Sequence, residues 1–127
     1  MNSRANVLVV SRDEMLLRTR VMILGAFFTV QGAGRPSEAK MLIDNTAFDL
    51  IVLCHSLTNR ECEDLVKLAE DRDRRPKVLA MFGSDRSQPK PWANVQLGVD
   101  AGPYGLLKKC AEMLGYALKS RAKAAQV

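Results

Sequence analysis

Cys54 and the adjacent His55, the only histidine in this 127-residue chain, are the residue types best suited to covalent chemistry. A thiolate activated by an imidazole, or by a cation such as Arg12, can act as a nucleophile or a redox sensor. Neighbours on an extended segment point to opposite faces, however, so His55 does not have to reach Cys54. The competing reading of Cys54 is a small apolar side chain filling a buried position. Cys62 and Cys110 fall on the apolar stripes of helical segments and read as core. Three widely spaced cysteines with no CxxC pair and a single histidine suggest neither a disulfide framework nor a zinc site. No metal ligands and no catalytic residues are assigned, and the chain is not expected to be an enzyme.

Charge is the second candidate feature. The formal net charge is +5 and the isoelectric point about 9.4. The excess is local. Lys108, Lys109, Lys119, Arg121 and Lys123 face one acid, Glu112, in the last twenty residues, which leaves a surplus of a single base over residues 1–107. Such a cationic end can be a solvated helix face opposing the C-terminal dipole, or a contact for nucleic acid or an acidic protein. No helix-turn-helix and no aromatic-interleaved basic motif is present, so nucleic acid is not the favoured partner and any such contact would be nonspecific. Trp92, between Pro91 and Ala93, is a partner anchor, a lid, or the closure of a short crossover.

These residues need a scaffold, and the composition supplies one. With 47% apolar residues the chain can build a core without staples, and its length suits one domain. No apolar run approaches the ~18 residues of a membrane span. Met1-Asn2-Ser3-Arg4 has no signal-peptide layout, so a cytoplasmic location is expected, with no membrane partner.

Three continuous apolar runs, Val7-Leu8-Val9-Val10, Leu50-Ile51-Val52-Leu53 and Val78-Leu79-Ala80-Met81-Phe82, read as strands covered on both faces. Phe27–Gln31 and Val95–Val99 are more mixed and belong nearer the sheet edges. Helical spacing runs over 13–24, with Leu16, Leu17, Val21 and Leu24, and over 36–45, with Ala39, Leu42 and Ile43. Thr58-Asn59-Arg60-Glu61 is a capping box for a helix burying Cys62, Leu65, Val66 and Ala69. A last helix begins near Gly102-Pro103 and carries Leu106, Leu107, Cys110, Leu114, Ala117 and Leu118. The methionines and phenylalanines read as core packing. Between Phe82 and Val95, two prolines, a glycine and many polar residues leave room for a short helical turn or an extended crossover. Alternation of strands and helices predicts a doubly wound α/β domain with a parallel sheet.

A domain of this length opening on Val-Leu-Val-Val resembles the receiver domain of bacterial two-component response regulators, over nearly the whole chain. Phe48-Asp49-Leu50-Ile51-Val52-Leu53 is similar to the segment leading to that family's phosphoacceptor aspartate. Arg75–Met81 is similar to its fourth strand, and Gly102–Leu107 to the start of its final helix. The resemblance implies a flavodoxin-like three-layer sandwich with a five-stranded parallel sheet and a fourth helix shortened or absent. It implies one domain over 1–127, with its core at about 5–118 and a basic tail at 119–127.

The resemblance also places the family's site, and this sequence departs from it. The magnesium-holding acidic pair corresponds to Ser11 and Arg12, with Asp13 one residue on, in the first helical turn. The phosphoacceptor position holds Cys54, the switch hydroxyl is replaced by Phe82, and the lysine position holds Val99 or Asp100. Phosphoryl transfer to a carboxylate needs that nucleophile, a hard cation and positive charge on the transferred oxygens. The sequence therefore implies a stand-alone, atypical receiver-like signalling module that is independent of phosphorylation and needs no cofactor, magnesium included. It would act through a protein partner or a second copy of itself, with Trp92, Tyr104, Lys108 and Lys109 as the candidate surface. The alternatives are a redox sensor centred on Cys54 and a nucleic-acid-associated module using the basic C-terminal helix.

Overall fold

The continuous apolar runs become the three inner strands of one sheet. The computed structural model describes residues 4–71, 75–83 and 90–116. Strands β1 (Asn6–Val10), β3 (Leu50–Leu53) and β4 (Lys77–Phe82) lie inside, flanked by β2 (Thr29–Ala33) and β5 (Val95–Gly98). The order is β2-β1-β3-β4-β5 and every neighbouring pair is parallel. Helices α1 (Glu14–Gly25) and α4 (Gly102–Leu114) share one core with Val7, Val9, Val52 and Leu79. Helices α2 (Pro36–Asn45) and α3 (Asn59–Glu70) share the other with Leu8, Val10, Ile51 and Leu53. Alternate residues of each inner strand thus enter opposite cores, which is why these strands are apolar without interruption. Each fully buried leucine among them contributes roughly 1.5–3 kcal/mol relative to exposure. This is the flavodoxin-like three-layer arrangement.

Local chemistry sets the helix ends. Asp13 is the N-cap of α1, accepting from the Leu16 amide at 3.0 Å; it precedes the first turn and does not lie within it. Thr58 and Glu61 close both halves of the capping box on α3. α4 stops at Leu114 because Gly115 takes φ 75°, a left-handed conformation that favours glycine. Lys77 Nζ donates to the Met113 carbonyl at 2.6 Å, placing a cation at the end of that helix. Tyr116 meets the Phe28 ring edge-on at 4.8 Å, and its hydroxyl accepts from the Ala5 amide.

Several boundaries differ from the sequence expectation. β2 starts at Thr29, two residues later than expected, because the amides of Phe27 and Phe28 both donate to the Leu24 carbonyl and finish α1. β5 ends at Gly98, and Val99 enters a 3-10 turn, Val99–Ala101. The expected stripe on the last helix reaches Leu114; Ala117, Leu118 and the tail at 119–127 lie outside the described residues. Met15, Met22 and Met41 are 76%, 70% and 66% exposed, so the core reading fails for these three methionines. Met15 and Met22, seven residues apart, share the outer stripe of α1, opposite Leu24.

Among the described residues no helix separates β4 from β5. Ala93 N donates to the Lys90 carbonyl in a turn, and Asn94 then begins the pairing with β4. Its amide donates to the Val78 carbonyl, and its side-chain oxygen accepts from the Val78 amide at 2.7 Å. Among the described residues no helix is long and apolar enough to cross a membrane.

Candidate functional site

In an open parallel sheet the ends of the strands meet beyond their carboxyl termini, where the order reverses between β1 and β3. Ser11 and Arg12, just after β1, and Cys54, just after β3, lie at those strand ends. Ser11 is fully buried; its hydroxyl lies 3.3 Å from that of Ser56 and accepts from the Asp13 amide at 3.2 Å. The Ser56 hydroxyl also accepts from the Arg12 amide at 2.9 Å, so two serines join the loop after β1 to the loop after β3.

Arg12 reaches outward and pairs in a fork with Glu61, Nη1 to Oε1 at 2.5 Å and Nη2 to Oε2 at 2.6 Å. The same carboxylate accepts from the Thr58 amide, so Glu61 caps α3 and holds Arg12 at once. The Arg12 hydrogen bonds, followed by that from the Thr58 backbone, hold the Glu61 carboxyl down at about 2. A depressed carboxyl contributes stability that is complete above its ordinary pKa and is lost as pH falls through the native value. The stability difference between the native protein and Glu61→Gln is therefore expected to be constant above about pH 5. It should shrink as pH falls from 4.5 towards 2. Urea unfolding across that range is the measurement, and a difference unchanged down to pH 2 would contradict the pairing.

Cys54 is 1% exposed. Burial pushes its thiol up, opposed by the charge of Arg20, by a hydrogen bond with the Arg20 side chain and by one with Ser11. Burial likewise pushes Cys62 and Cys110 up to about 12. All three thiols are free and buried, and none has the depressed pKa of a reactive thiolate. His55 is exposed while Cys54 is buried, consistent with opposite faces of an extended segment.

Arg20 was not singled out by the sequence reading, yet it is buried at 8% exposure on the inner face of α1. Its spacing was the available signal: Leu16, Arg20 and Leu24 recur every four residues on one stripe. Ser56 and the second role of Glu61 were also missed, since nothing local marks a partner 49 residues away.

Phe82 ends β4 and stands across from Gly98 on β5. A Cβ at Gly98 would lie 2.5 Å from Asp100 Oδ1 and 3.2 Å from the Phe82 ring, so glycine leaves room for both side chains. Val99 and Asp100 follow in the 3-10 turn. Cys54, His55, Phe82, Gly83, Lys90 and Trp92 are among the residues around a cavity of about 230 Å³. Trp92 is half-buried against the α2–α3 core, with Lys90 Nζ 5.7 Å from its ring, and both residues line this cavity. Tyr104 is 68% exposed and Lys108 exposed on α4, while Lys109 pairs with Glu112 at 3.0 Å. Among the described residues no three His, Cys, Asp or Glu side chains are grouped to hold a metal ion.

No family model matches the chain, and no curated protein matches it. Solved structures do. A CheY-like response regulator receiver domain protein from Methanospirillum hungatei JF-1 superposes with a TM-score of 0.74 at 22% identity, covering 89% of this chain and 95% of that one. Chemotaxis response regulator CheY4 of Vibrio cholerae gives 0.74 at 19%, covering 87% and 99%. A receiver domain protein from Clostridium thermocellum gives 0.72 at 14%, covering 87% and 94%. The chain has the fold of the CheY-like receiver domains.

Proposed function

We propose that this chain is a receiver-like signalling module of the two-component type that works by protein–protein contact, without phosphoryl chemistry and without catalysing a reaction of its own. The observation that carries this reading is the forked Arg12–Glu61 pair at the mouth of the site. A guanidinium there repels a divalent cation, and the neighbouring oxygens are already engaged: Ser11 with Ser56 and the Asp13 backbone, Asp13 as a helix cap. Magnesium prefers one or two free carboxylates in octahedral geometry, and this donor set does not suit it. Cys54 offers a buried thiol with a raised pKa in place of a carboxylate, which also weighs against thiol chemistry. The exposed Tyr104 and Lys108 on α4 support a partner contact on that helix.

Incubation with acetyl phosphate and magnesium, followed by intact-mass measurement, tests this directly. The expected result is an unchanged mass. A stable adduct of one phosphoryl group on the folded protein would overturn the reading.

A further inference from the structure

The cavity beside Cys54 takes its walls from the ends of β3 and β4, from Cys62 on α3 and from the crossover that carries Lys90 and Trp92. Lys90 is half-buried, and its Nζ donates to Asn59 Oδ1 at 3.0 Å, a neutral acceptor. An ammonium has further N–H donors to offer beyond that one. Among the described residues no acid forms an ion pair with Lys90, and none of those lining the cavity is Asp or Glu. A cation steadied by a neutral partner, in a cleft without acids, gives that cleft a positive field.

The same space is lined by two aromatic side chains, Trp92 and Phe82, together with Leu57 and Met81. Its volume of about 230 Å³ falls below the roughly 300–1,000 Å³ of drug-sized sites, yet exceeds the ~150 Å³ that holds benzene in an engineered apolar cavity. One ring with one small substituent therefore fits. Inorganic phosphate would leave the aromatic walls against a hydrated ion, and a neutral ring would leave the ammonium unanswered. A ring bearing a carboxylate satisfies both, by a charge-assisted hydrogen bond and by offset or edge-on ring contact. The cation comes from the crossover and not from the end of β5, where Val99 and Asp100 stand, so the arrangement differs from the phosphoryl site that the resemblance implies.

We propose that this cavity binds a small aromatic monocarboxylate, with the carboxylate on Lys90 Nζ and the ring against Trp92 and Phe82. The inference goes beyond the function proposed above and does not rest on it: the mass after acetyl phosphate and the binding described next are independent results.

Benzoate is the probe. Trp92 is the only tryptophan, so its indole N–H gives a single signal in a two-dimensional spectrum of the 15N-labelled full chain. Benzoate is expected to shift that signal and the Gly83 and Lys90 amides saturably, with a dissociation constant on the order of 1 mM. Lys90→Met, which keeps an unbranched stem and removes the charge, should weaken binding at least about tenfold, and the variant's own spectrum reports that it is folded. Acetate has the charge without the ring, and benzyl alcohol the ring without the charge; each should bind at least about tenfold more weakly than benzoate. The proposal fails if benzoate gives no saturable shift at these positions, if Lys90→Met binds it equally well, or if acetate or benzyl alcohol binds as tightly.

Discussion

Cys54→Asp should be about 3–5 kcal/mol more destabilising in an Arg20→Met background than in the native sequence. Position 54 is 1% exposed and within interaction range of the Arg20 guanidinium, which lacks a partner on Nη1. With Arg20 present, the new carboxylate meets a buried cation and the Ser11 hydroxyl. Each charge then offsets part of the other's desolvation. With methionine at position 20, the carboxylate is buried alone, the arrangement that costs most. Protonation would relieve part of that penalty, because burial raises a carboxyl pKa. The double-mutant cycle is therefore best run near pH 8, where more of the group is ionised, with urea unfolding as the measure. A coupling below about 1 kcal/mol would show that Arg20 does not reach position 54.

Arg20→Met alone is expected to stabilise the protein by about 1–3 kcal/mol. The site is apolar on most sides, with Leu16, Met81 and Leu106 around it, and methionine is unbranched and adapts to irregular space. The substitution removes an unsatisfied buried donor together with its charge, and retains a good helix former on α1. For a domain of this size the gain corresponds to a rise of roughly 3–10 °C in melting temperature. A fall in melting temperature would mean that the guanidinium is satisfied in the folded state.

Much of the fold was legible because its signals are local. The run Leu50–Leu53 reads as a strand covered on both faces, and of Pro36 and Ser37, the two openers the sequence offers for α2, it is Pro36 that takes the first position. The Thr58–Glu61 box marked the start of α3 within one turn. The errors arose where tertiary contacts overrode local preference. Phe27 and Phe28 have strand-like composition, yet their amides complete α1 and Phe28 is driven into the core against Tyr116. The outward methionines of α1 look like core by residue type alone, and only the helical phase shows that they are not.

The candidate site divides in the same way. The resemblance named Ser11, Arg12, Cys54 and Phe82, and the apolar runs fix the strand ends at which they lie. Arg20 was missed because a charged residue within an apolar stripe normally reads as surface. Glu61 was recognised as a cap, but its pairing with Arg12 depends on how β1 and β3 bring two loops together, and no spacing rule encodes that distance.

The Arg12–Glu61 ion pair differs from a metal–ligand bond in terms of mass action. A metal ion occupies its ligands according to its free concentration and leaves when that concentration falls. Arg12 is tethered to the chain one residue from Ser11, so its effective concentration at the mouth is set by linkage and does not depend on supply. Its occupancy is indifferent to chelators and to cellular metal levels, and responds only to ionic strength and to acid strong enough to protonate Glu61. The pair keeps its charge state under conditions in which a metal–ligand bond would break and reform.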